Sequence, residues 1–221
     1  MNTKISSVIL SIRLSKVDDL TRPDHFFLKP EDQCFYLGEY TARKGFLFSP
    51  TNKLIINLKK PMERKGKPEW AFKTQAIEEA GRQLRQAIQA VNPNWLATTT
   101  LVPIPPSKIR SDPGYDDRVV EVLRSLARGI QVDIRELVLQ RQTMQPAHGT
   151  ATRPRLSELI DNYVIDERLA EPKPRVIGIV DDVLTTGAHF KAVQQVLRAR
   201  FPDLPSCGIF IARRIPDTSD I

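Results

Sequence analysis

Residues 175–198, RVIGIVDDVLTTGAHFKAVQQVLR, form the stretch that decides the fold. The run 176–180 is apolar and mostly β-branched, which predicts a strand buried on both faces, as in a parallel sheet. Two acids, Asp181 and Asp182, follow directly, and a short polar turn comes after them. Apolar residues then recur at helical spacing, at Phe190, Val193, Val196, Leu197 and Phe201. The predicted order is therefore strand, acidic pair, tight turn and helix.

This order has a chemical meaning, because ligands in open α/β sheets bind beyond the carboxyl ends of the strands. A turn that opens a helix presents free backbone N–H groups and the positive end of the helix dipole, which suits phosphate. Gly187 lets the backbone approach an anion closely, and Thr185 and Thr186 add hydroxyl donors. Asp181 and Asp182 repel phosphate and suit sugar hydroxyls, a developing positive charge or a metal ion. The pattern predicts a sugar phosphate site.

Residues 180–187, VDDVLTTG, resemble the phosphoribosyl pyrophosphate (PRPP) motif of type I phosphoribosyltransferases. The resemblance implies that Asp181 and Asp182 are the catalytic residues, which hold the ribose 2- and 3-hydroxyls and favour the developing positive charge. It also implies a site for the 5-phosphate, made of Leu184, Thr185, Thr186, Gly187, Ala188 and His189. The alternative is an ordinary strand–turn–helix unit with an acidic strand end. For His189, helix capping or exposure is an equally good explanation.

A second loop follows the first predicted core strand, residues 98–104, and has the sequence Pro-Pro-Ser-Lys-Ile-Arg at 105–110. In the family, the loop after the corresponding strand binds the pyrophosphate of PRPP. The resemblance therefore implies pyrophosphate binding by Ser107, Lys108 and Arg110, with Lys108 as a point charge and Arg110 as a bidentate clamp. The alternative is a basic surface loop.

The sequence VPIP at 102–105, this basic loop, Gly114-Tyr115 and a predicted helix from Val119 onward are similar to the ComF-like, competence-associated branch of the family. That branch usually carries Gly-aromatic-Asn-Gln where this chain has Gly114-Tyr115-Asp116-Asp117, so acids replace both amides. Many members also carry an N-terminal cysteine-rich zinc module. Cys34 and Cys207 are far apart in this chain, which argues against such a module. The resemblance covers residues 101–213.

The polar stretch 141–155, RQTMQPAHGTATRPR, is predicted to be a flexible loop. The family has a loop here that closes over the site and excludes water from a reactive sugar cation. On that resemblance, Arg141, Gln145 and Arg153 reach the ligand when the loop closes. For His148, an exposed loop histidine is the favoured interpretation.

The predicted fold class is α/β, with an open, mainly parallel, twisted sheet flanked by helices, as in type I phosphoribosyltransferases. Residues 1–68 are expected to form an N-terminal β-rich hood over that sheet, with strands at 7–14 and 34–40 and either a strand or a helix at 53–59. Residues 69–221 form the predicted phosphoribosyltransferase-like core. Its first element is an amphipathic helix at 70–91.

The chain has 221 residues and a formal net charge of +7, which favours anionic ligands or nucleic acid. Residues 59–67, KKPMERKGK, carry five cations and one acid. A solvated loop is one interpretation of this segment. The other is a contact for phosphates, for nucleic acid or for a protein partner. No RNA-binding, zinc-finger or helix-turn-helix signature supports the nucleic-acid interpretation.

The resemblance implies transfer of ribose 5-phosphate from PRPP to a nitrogenous base, with release of pyrophosphate. Mg²⁺ is the expected cofactor and enters with PRPP, held by Asp181 and Asp182 if by any protein group. The alternative function is a catalytically weak module that senses PRPP or a nucleoside monophosphate, or one linked to nucleic acid in DNA uptake or in a larger assembly. A homodimer is left open. Cytoplasmic location and no membrane contact are expected, because two lone cysteines fit a reducing compartment and no apolar run reaches membrane-spanning length.

Overall fold

The computed structural model describes residues 12–144 and 154–216. Six strands form the main sheet: β1 (Ser15–Lys16), β2 (Cys34–Thr41), β3 (Thr100–Pro103), β4 (Asp133–Ile134), β7 (Ile177–Leu184) and β8 (Ser206–Ile215). Their order across the sheet is β1-β2-β8-β7-β3-β4, and all neighbours are parallel except β1 and β2. A separate antiparallel pair consists of β5 (Val138–Gln140) and β6 (Tyr163–Ile165). The mainly parallel α/β architecture that the sequence predicts is confirmed.

Helices cover both faces of this sheet. The described helices are α1 (Pro50–Leu58), α2 (Trp70–Val91), α3 (Trp95–Thr98), α4 (Arg118–Leu126), α5 (Leu156–Asn162) and α6 (Ala188–Arg200). One apolar core contains residues of α1, α2 and α4, and the other contains residues of α5 and α6. The predicted helix at 70–91 is confirmed at both ends.

The central strand β7 is buried on both faces, as predicted for a parallel strand. Ile177 and Ile179 belong to the core on the α6 side, whereas Val180 belongs to the core on the α2 and α4 side. The strand continues to Leu184, four residues beyond the predicted end at Val180. Asp181 and Asp182 therefore lie within the ladder, because β7 stays paired with β8 through them. This pairing holds the backbone of both residues in the strand and therefore sets the directions in which their side chains leave it.

The predicted strand at 34–40 is confirmed, but its predicted place in an N-terminal hood is wrong. These residues form β2, which pairs in parallel with β8 from Cys34 to Thr41 and so belongs to the main sheet. Residues 50–58 form a helix, which settles the open choice between strand and helix at 53–59. Ser49 explains this start, because its hydroxyl accepts a hydrogen bond from Asn52 N and Pro50 stands at the first helical position. Residues 1–11 lie outside the described residues, and so does most of the predicted strand at 7–14.

Within residues 12–144 and 154–216, no helix has the length and apolarity needed to cross a membrane.

Candidate functional site

A cleft of about 240 Å³ opens at the carboxyl ends of β3 and β7. Its lining comes from the end of α1, the loop after β3, the start of α4, the end of β7 and the start of α6. The polar members of that lining are Lys59, Ser107, Asp116, Asp117, Arg118, Asp181, Asp182, Thr185 and His189. This is the edge of a parallel sheet at which ligands bind in α/β folds.

The turn between β7 and α6 has the form that a phosphate site needs. Gly187 caps α6 with φ of 83°, a left-handed conformation that glycine adopts without strain. A Cβ at this position would also lie 2.9 Å from Leu28 Cδ2. The first N–H groups of α6 have no partner inside the helix, so they are available to an anion in the cleft. Both the conformation and the space at residue 187 therefore require glycine.

Four of the six residues predicted for the 5-phosphate line the cleft, namely Leu184, Thr185, Gly187 and His189. Thr186 and Ala188 do not line it. The Thr186 carbonyl accepts a hydrogen bond of 2.9 Å from Phe27 N, and Ala188 is buried at the start of α6. The structure therefore brings most of the predicted motif together at the cleft, while Ala188 is buried and Thr186 is half-buried with its carbonyl bonded to Phe27.

The segment 25–32 packs against this turn and forms hydrogen bonds with it. His25 is fully buried, and its Nδ1 is hydrogen bonded to the Thr185 carbonyl. Burial lowers the pKa of His25, which keeps the ring neutral. Farther along the segment, Asp32 pairs with the buried Lys191 of α6 at 2.8 Å through both carboxylate oxygens. These contacts tie the N-terminal segment to Thr185 at the start of the turn and to Lys191 in the first turn of α6.

Asp182 is held by two cations. Its Oδ2 lies 2.6 Å from Arg118 Nε at the start of α4, and its Oδ1 lies 3.2 Å from Lys59 Nζ at the end of α1. Burial alone would raise the pKa of this carboxyl, but Lys59 and Arg118 outweigh that effect and hold the pKa well below its usual range. Asp182 is therefore a permanent anion whose charge is already neutralised within the protein.

Asp181 has the opposite electrostatic environment. Its pKa is raised well above the usual range, first by burial and then by the charge of Asp182. Its Oδ1 accepts a hydrogen bond of 2.8 Å from Asp182 N, which orients the carboxyl group. Adjacent acids with pKa values pushed apart have different chemical roles. Asp181 is the one that can change its protonation state when a ligand binds.

The ion pair at Asp182 continues through Asp116, which also lines the cleft, to the buried Lys73. Arg118 Nη1 lies 2.7 Å from Asp116 Oδ2, and the same oxygen lies 2.7 Å from Lys73 Nζ. Lys73 is only 2% exposed, and its Nζ also donates to the Lys60 carbonyl at 2.8 Å. We call Lys59, Asp182, Arg118, Asp116 and Lys73 the charge chain. Charges of opposite sign alternate along it, so that each buried charge has a partner.

Sequence reasoning assigned no role to Lys73, Asp116 or Arg118, although two of them carry a signal. Lys73 falls on the apolar stripe of α2, at helical spacing from Ile77 and Ala80, where a lysine needs an acidic partner. Arg118 is the first residue of α4, where the helix dipole favours acids. Lys59 was grouped with the basic segment 59–67; it is exposed, as the solvated interpretation expects, and in addition its Nζ contacts Asp182.

Tyr163 and His189 make a second polar contact at the base of the cleft. Tyr163 Oη lies 2.8 Å from His189 Nδ1, in hydrogen-bond contact. Burial lowers the pKa of His189 and raises the pKa of Tyr163, with the charge of Asp181 adding to the latter. Both groups are therefore uncharged at neutral pH. His189 is an oriented neutral side chain in the cleft, which answers the question of capping or exposure.

The predicted pyrophosphate residues separate into two places. Ser107 lines the cleft, whereas Lys108 and Arg110 line a neighbouring cavity. Lys108 Nζ lies 3.3 Å from Asp112 Oδ1, and Arg110 Nη2 lies 2.6 Å from Glu136 Oε2. Among the residues that line the cleft, its lysine and arginine are instead Lys59 and Arg118.

The predicted flexible loop, 141–155, is described only at its two ends. Arg141 lines the neighbouring cavity together with Arg110. Met144 N donates a hydrogen bond of 2.8 Å to the Ser107 carbonyl, so the start of the loop rests on the predicted pyrophosphate loop. Gln145 and Arg153 lie outside the described residues.

The donor set fits Mg²⁺ only as a partner of a bound phosphate. Across the described parts of the chain, no group of three or more His, Cys, Asp or Glu side chains is placed to hold a metal ion. Mg²⁺ commonly binds through one or two carboxylates together with the phosphates of a substrate. Asp117 and Asp181 are the carboxylates of the cleft for which no ion pair with a described residue is seen, and Asp181, at the end of β7, would supply such a contact.

Searches against protein-family models and against curated proteins find no match to this chain. The function is therefore inferred from the cleft and from the resemblance of residues 180–187.

Proposed function

We propose that the protein binds PRPP in this cleft and transfers its ribose 5-phosphate to a nitrogenous base, as a phosphoribosyltransferase of type I architecture related to the ComF-like branch. One observation carries the proposal: an acidic strand end and a glycine-capped helix start open into the same cleft. The helix start suits a phosphate, and the acids suit a sugar. The resemblance of residues 180–187 adds the identity of that sugar phosphate.

The three parts of PRPP have separate partners in this proposal. The 5-phosphate binds at the N–H groups that start α6, with the Thr185 hydroxyl as a further donor. The ribose hydroxyls bind at Asp181, because the charge of Asp182 is already neutralised by Lys59 and Arg118. The pyrophosphate binds at Lys59, Arg118 and Ser107. Lys59 and Arg118 thus take the role that the resemblance gave to Lys108 and Arg110.

The chemistry proposed is displacement of pyrophosphate at the ribose anomeric carbon. The C–O bond to pyrophosphate breaks while the C–N bond to the base forms, and positive charge develops on the sugar. The ionised carboxylate of Asp181 stabilises that charge, and Lys59 and Arg118 stabilise the departing pyrophosphate. Mg²⁺, when bound with PRPP, supplies charge neutralisation on the phosphate oxygens. The base loses a proton to solvent or to a group of the cleft.

Pyrophosphate release across a panel of nitrogenous bases tests this activity. Release that requires PRPP, Mg²⁺ and one base of the panel supports the transferase. Binding of PRPP without release for any base favours the alternative, a module that senses PRPP or a nucleoside monophosphate. The charge chain is the observation that favours this alternative, since it neutralises one of the two acids of the motif.

A nucleic-acid contact is the second candidate function, and it has an observation of its own. Phe46, Phe48 and Phe72 are exposed, with Lys53 Nζ 5.4 Å from the Phe46 ring and Lys60 Nζ 5.5 Å from the Phe72 ring. Exposed aromatic rings beside lysines are the features that bind single strands, by stacking and by phosphate contacts. Salt-dependent binding of a single-stranded oligonucleotide, weakened by Phe72→Ala and unchanged by Leu20→Ala at another exposed apolar residue, would support this candidate. Equal binding by both variants and the wild type would oppose it.

A further inference from the structure

A second cavity, of about 330 Å³, lies beside the cleft and shares Ile104, Pro105, Pro106 and Val120 with its lining. Its remaining wall is formed by the loop after β3, the first turn before α4, and β5. Much of that wall is apolar, through Pro103, Ile109, Val138 and Leu139. Cavities with apolar walls and a few polar groups are typical of small-molecule sites.

The charged groups of this cavity are mostly cationic. Lys108, Arg110 and Arg141 line it together with a single carboxylate, Glu136. Arg110 Nη2 lies 2.6 Å from Glu136 Oε2, and the Tyr115 hydroxyl donates to that same oxygen at 3.4 Å. The negative charge of Glu136 is therefore already compensated by Arg110, so this carboxylate does not favour a cationic ligand.

The other two cations, Lys108 and Arg141, differ in the ion pairs that they form. Lys108 Nζ pairs with Asp112 at 3.3 Å, a long contact from a carboxylate that does not line the cavity. Arg141 makes no ion pair within the described parts of the chain, and its side chain is exposed at the rim. Even with Asp112 counted, cations outnumber carboxylates here. The cavity therefore has an excess of positive charge beside an apolar wall.

We propose that this cavity binds a small aromatic anion, with the ring against the apolar wall and the carboxylate at Arg141 and Lys108. Arginine suits this role, because its planar guanidinium pairs with a carboxylate through two parallel hydrogen bonds and stacks on aromatic rings. The site is separate from the cleft that holds Asp181 and does not depend on what that cleft binds.

Matched pairs of probes test this proposal, because each pair differs in one carboxylate. Nicotinate is compared with nicotinamide, and orotate with uracil, by amide chemical shifts of the full chain. The expected result is binding of each carboxylate at least about tenfold tighter than its neutral partner, with shifts concentrated at residues 138–141. Arg141→Gln should remove that preference, whereas Arg128→Gln, at an exposed arginine after α4 that pairs with Glu78, should keep it.

Three results would overturn the proposal: equal affinities within each pair, an unchanged preference in Arg141→Gln, or shifts at residues 138–141 with inorganic pyrophosphate but with neither carboxylate. The last would identify a pyrophosphate subsite that makes no use of the apolar wall. A PRPP titration of the same sample, followed at residues 184–189, reports separately on the cleft. If PRPP does not bind to the cleft, the proposed function fails, but the conclusion about the second cavity is unaffected.

Discussion

Arg118 Nε lies 2.6 Å from Asp182 Oδ2, and Nη1 of the same guanidinium lies 2.7 Å from Asp116 Oδ2. One arginine thus joins the central strand β7 to the loop that precedes α4. Because Asp182 is buried, this contact affects the net charge of the cleft. It also contributes to the stability of the fold at the carboxyl end of β7.

The first prediction concerns this contact. Arg118→Met removes the cation and leaves Asp182 and Asp116 with less compensation, so we expect a loss of about 3–5 kcal/mol in the free energy of unfolding. Urea denaturation measures it. Arg124→Met is the control on the same helix, because Arg124 forms an exposed pair with Glu121 that contributes about 0–1 kcal/mol.

A second substitution distinguishes charge from packing. Adding Asp182→Asn to Arg118→Met removes the uncompensated carboxylate and should restore part of the lost stability. Purely additive losses in the double variant would show that the two residues do not act through their charges.

The second prediction concerns Asp181. Its pKa in the folded protein lies above the ordinary 3.8, so between these two values the folded chain holds a proton that the unfolded chain has released. The contribution of Asp181 to stability therefore falls as pH rises through this interval. Asp181→Asn cannot ionise and keeps an oxygen for the Asp182 N–H. Its unfolding free energy should exceed that of the wild type above the interval and approach it near about pH 4.

The same residue predicts the pH dependence of ligand binding. A sugar hydroxyl or a Mg²⁺ ion requires the ionised carboxylate, so PRPP affinity should rise as pH increases through the raised pKa of Asp181. The variant Asp181→Asn should bind weakly across the range and lack this rise. Calorimetric titration at several pH values measures both. A wild-type affinity that is flat, or that falls, over this range would contradict the assignment.

The third prediction concerns Lys59. Lys59→Met removes a cation from the cleft while Arg118 still compensates Asp182, so the fold should persist. The affinity for PRPP should drop by about tenfold to about a hundredfold, the size of a hydrogen bond to a charged group. Lys65→Met, at an exposed lysine of the same basic segment that does not line the cleft, is the matched control. Equal effects of both variants would indicate general charge steering.

The fourth prediction concerns Gly187. Alanine there faces the left-handed backbone, which costs about 1–2 kcal/mol, and in addition meets Leu28 Cδ2 at 2.9 Å. Gly129 has a similar φ of 74° with no atom within 4 Å of the Cβ position, so Gly129→Ala carries the backbone cost alone. Thermal unfolding should place Gly187→Ala below Gly129→Ala. Identical melting temperatures would show that Leu28 moves away from the added methyl group without a measurable loss of stability.

The sequence predicted the elements that follow local periodicity. The α2 stripe at Ile77, Ala80 and Leu84 and the β-branched run of β7 gave correct elements, because burial of one face or of both leaves a repeat in the chain. The end of β7 was placed too early because Asp181 and Asp182 look like loop residues. Pairing with β8 keeps them in the strand, and no local pattern reports such pairing.

The misplaced parts depend on contacts between distant residues. β2 was expected over the sheet, yet it pairs with β8, a strand near the other end of the chain. Likewise, Lys59 meets Asp182 only because α1 ends beside the carboxyl end of β7. Lys108 and Arg110 had the expected charge and the expected loop, but Asp112 and Glu136 hold them at the neighbouring cavity. Charge type was therefore predictable, whereas charge placement was not.

Calorimetric titration of the wild-type chain and of Asp181→Asn with PRPP in the presence of Mg²⁺ tests the central claim most directly. The account predicts saturable binding by the wild type, with an affinity that Asp181→Asn lowers strongly although this variant is at least as stable. It also predicts that ribose 5-phosphate competes for the same site. Absence of PRPP binding by a folded wild type, or equal binding by Asp181→Asn, would contradict the claim that this cleft recognises a phosphorylated ribose through Asp181.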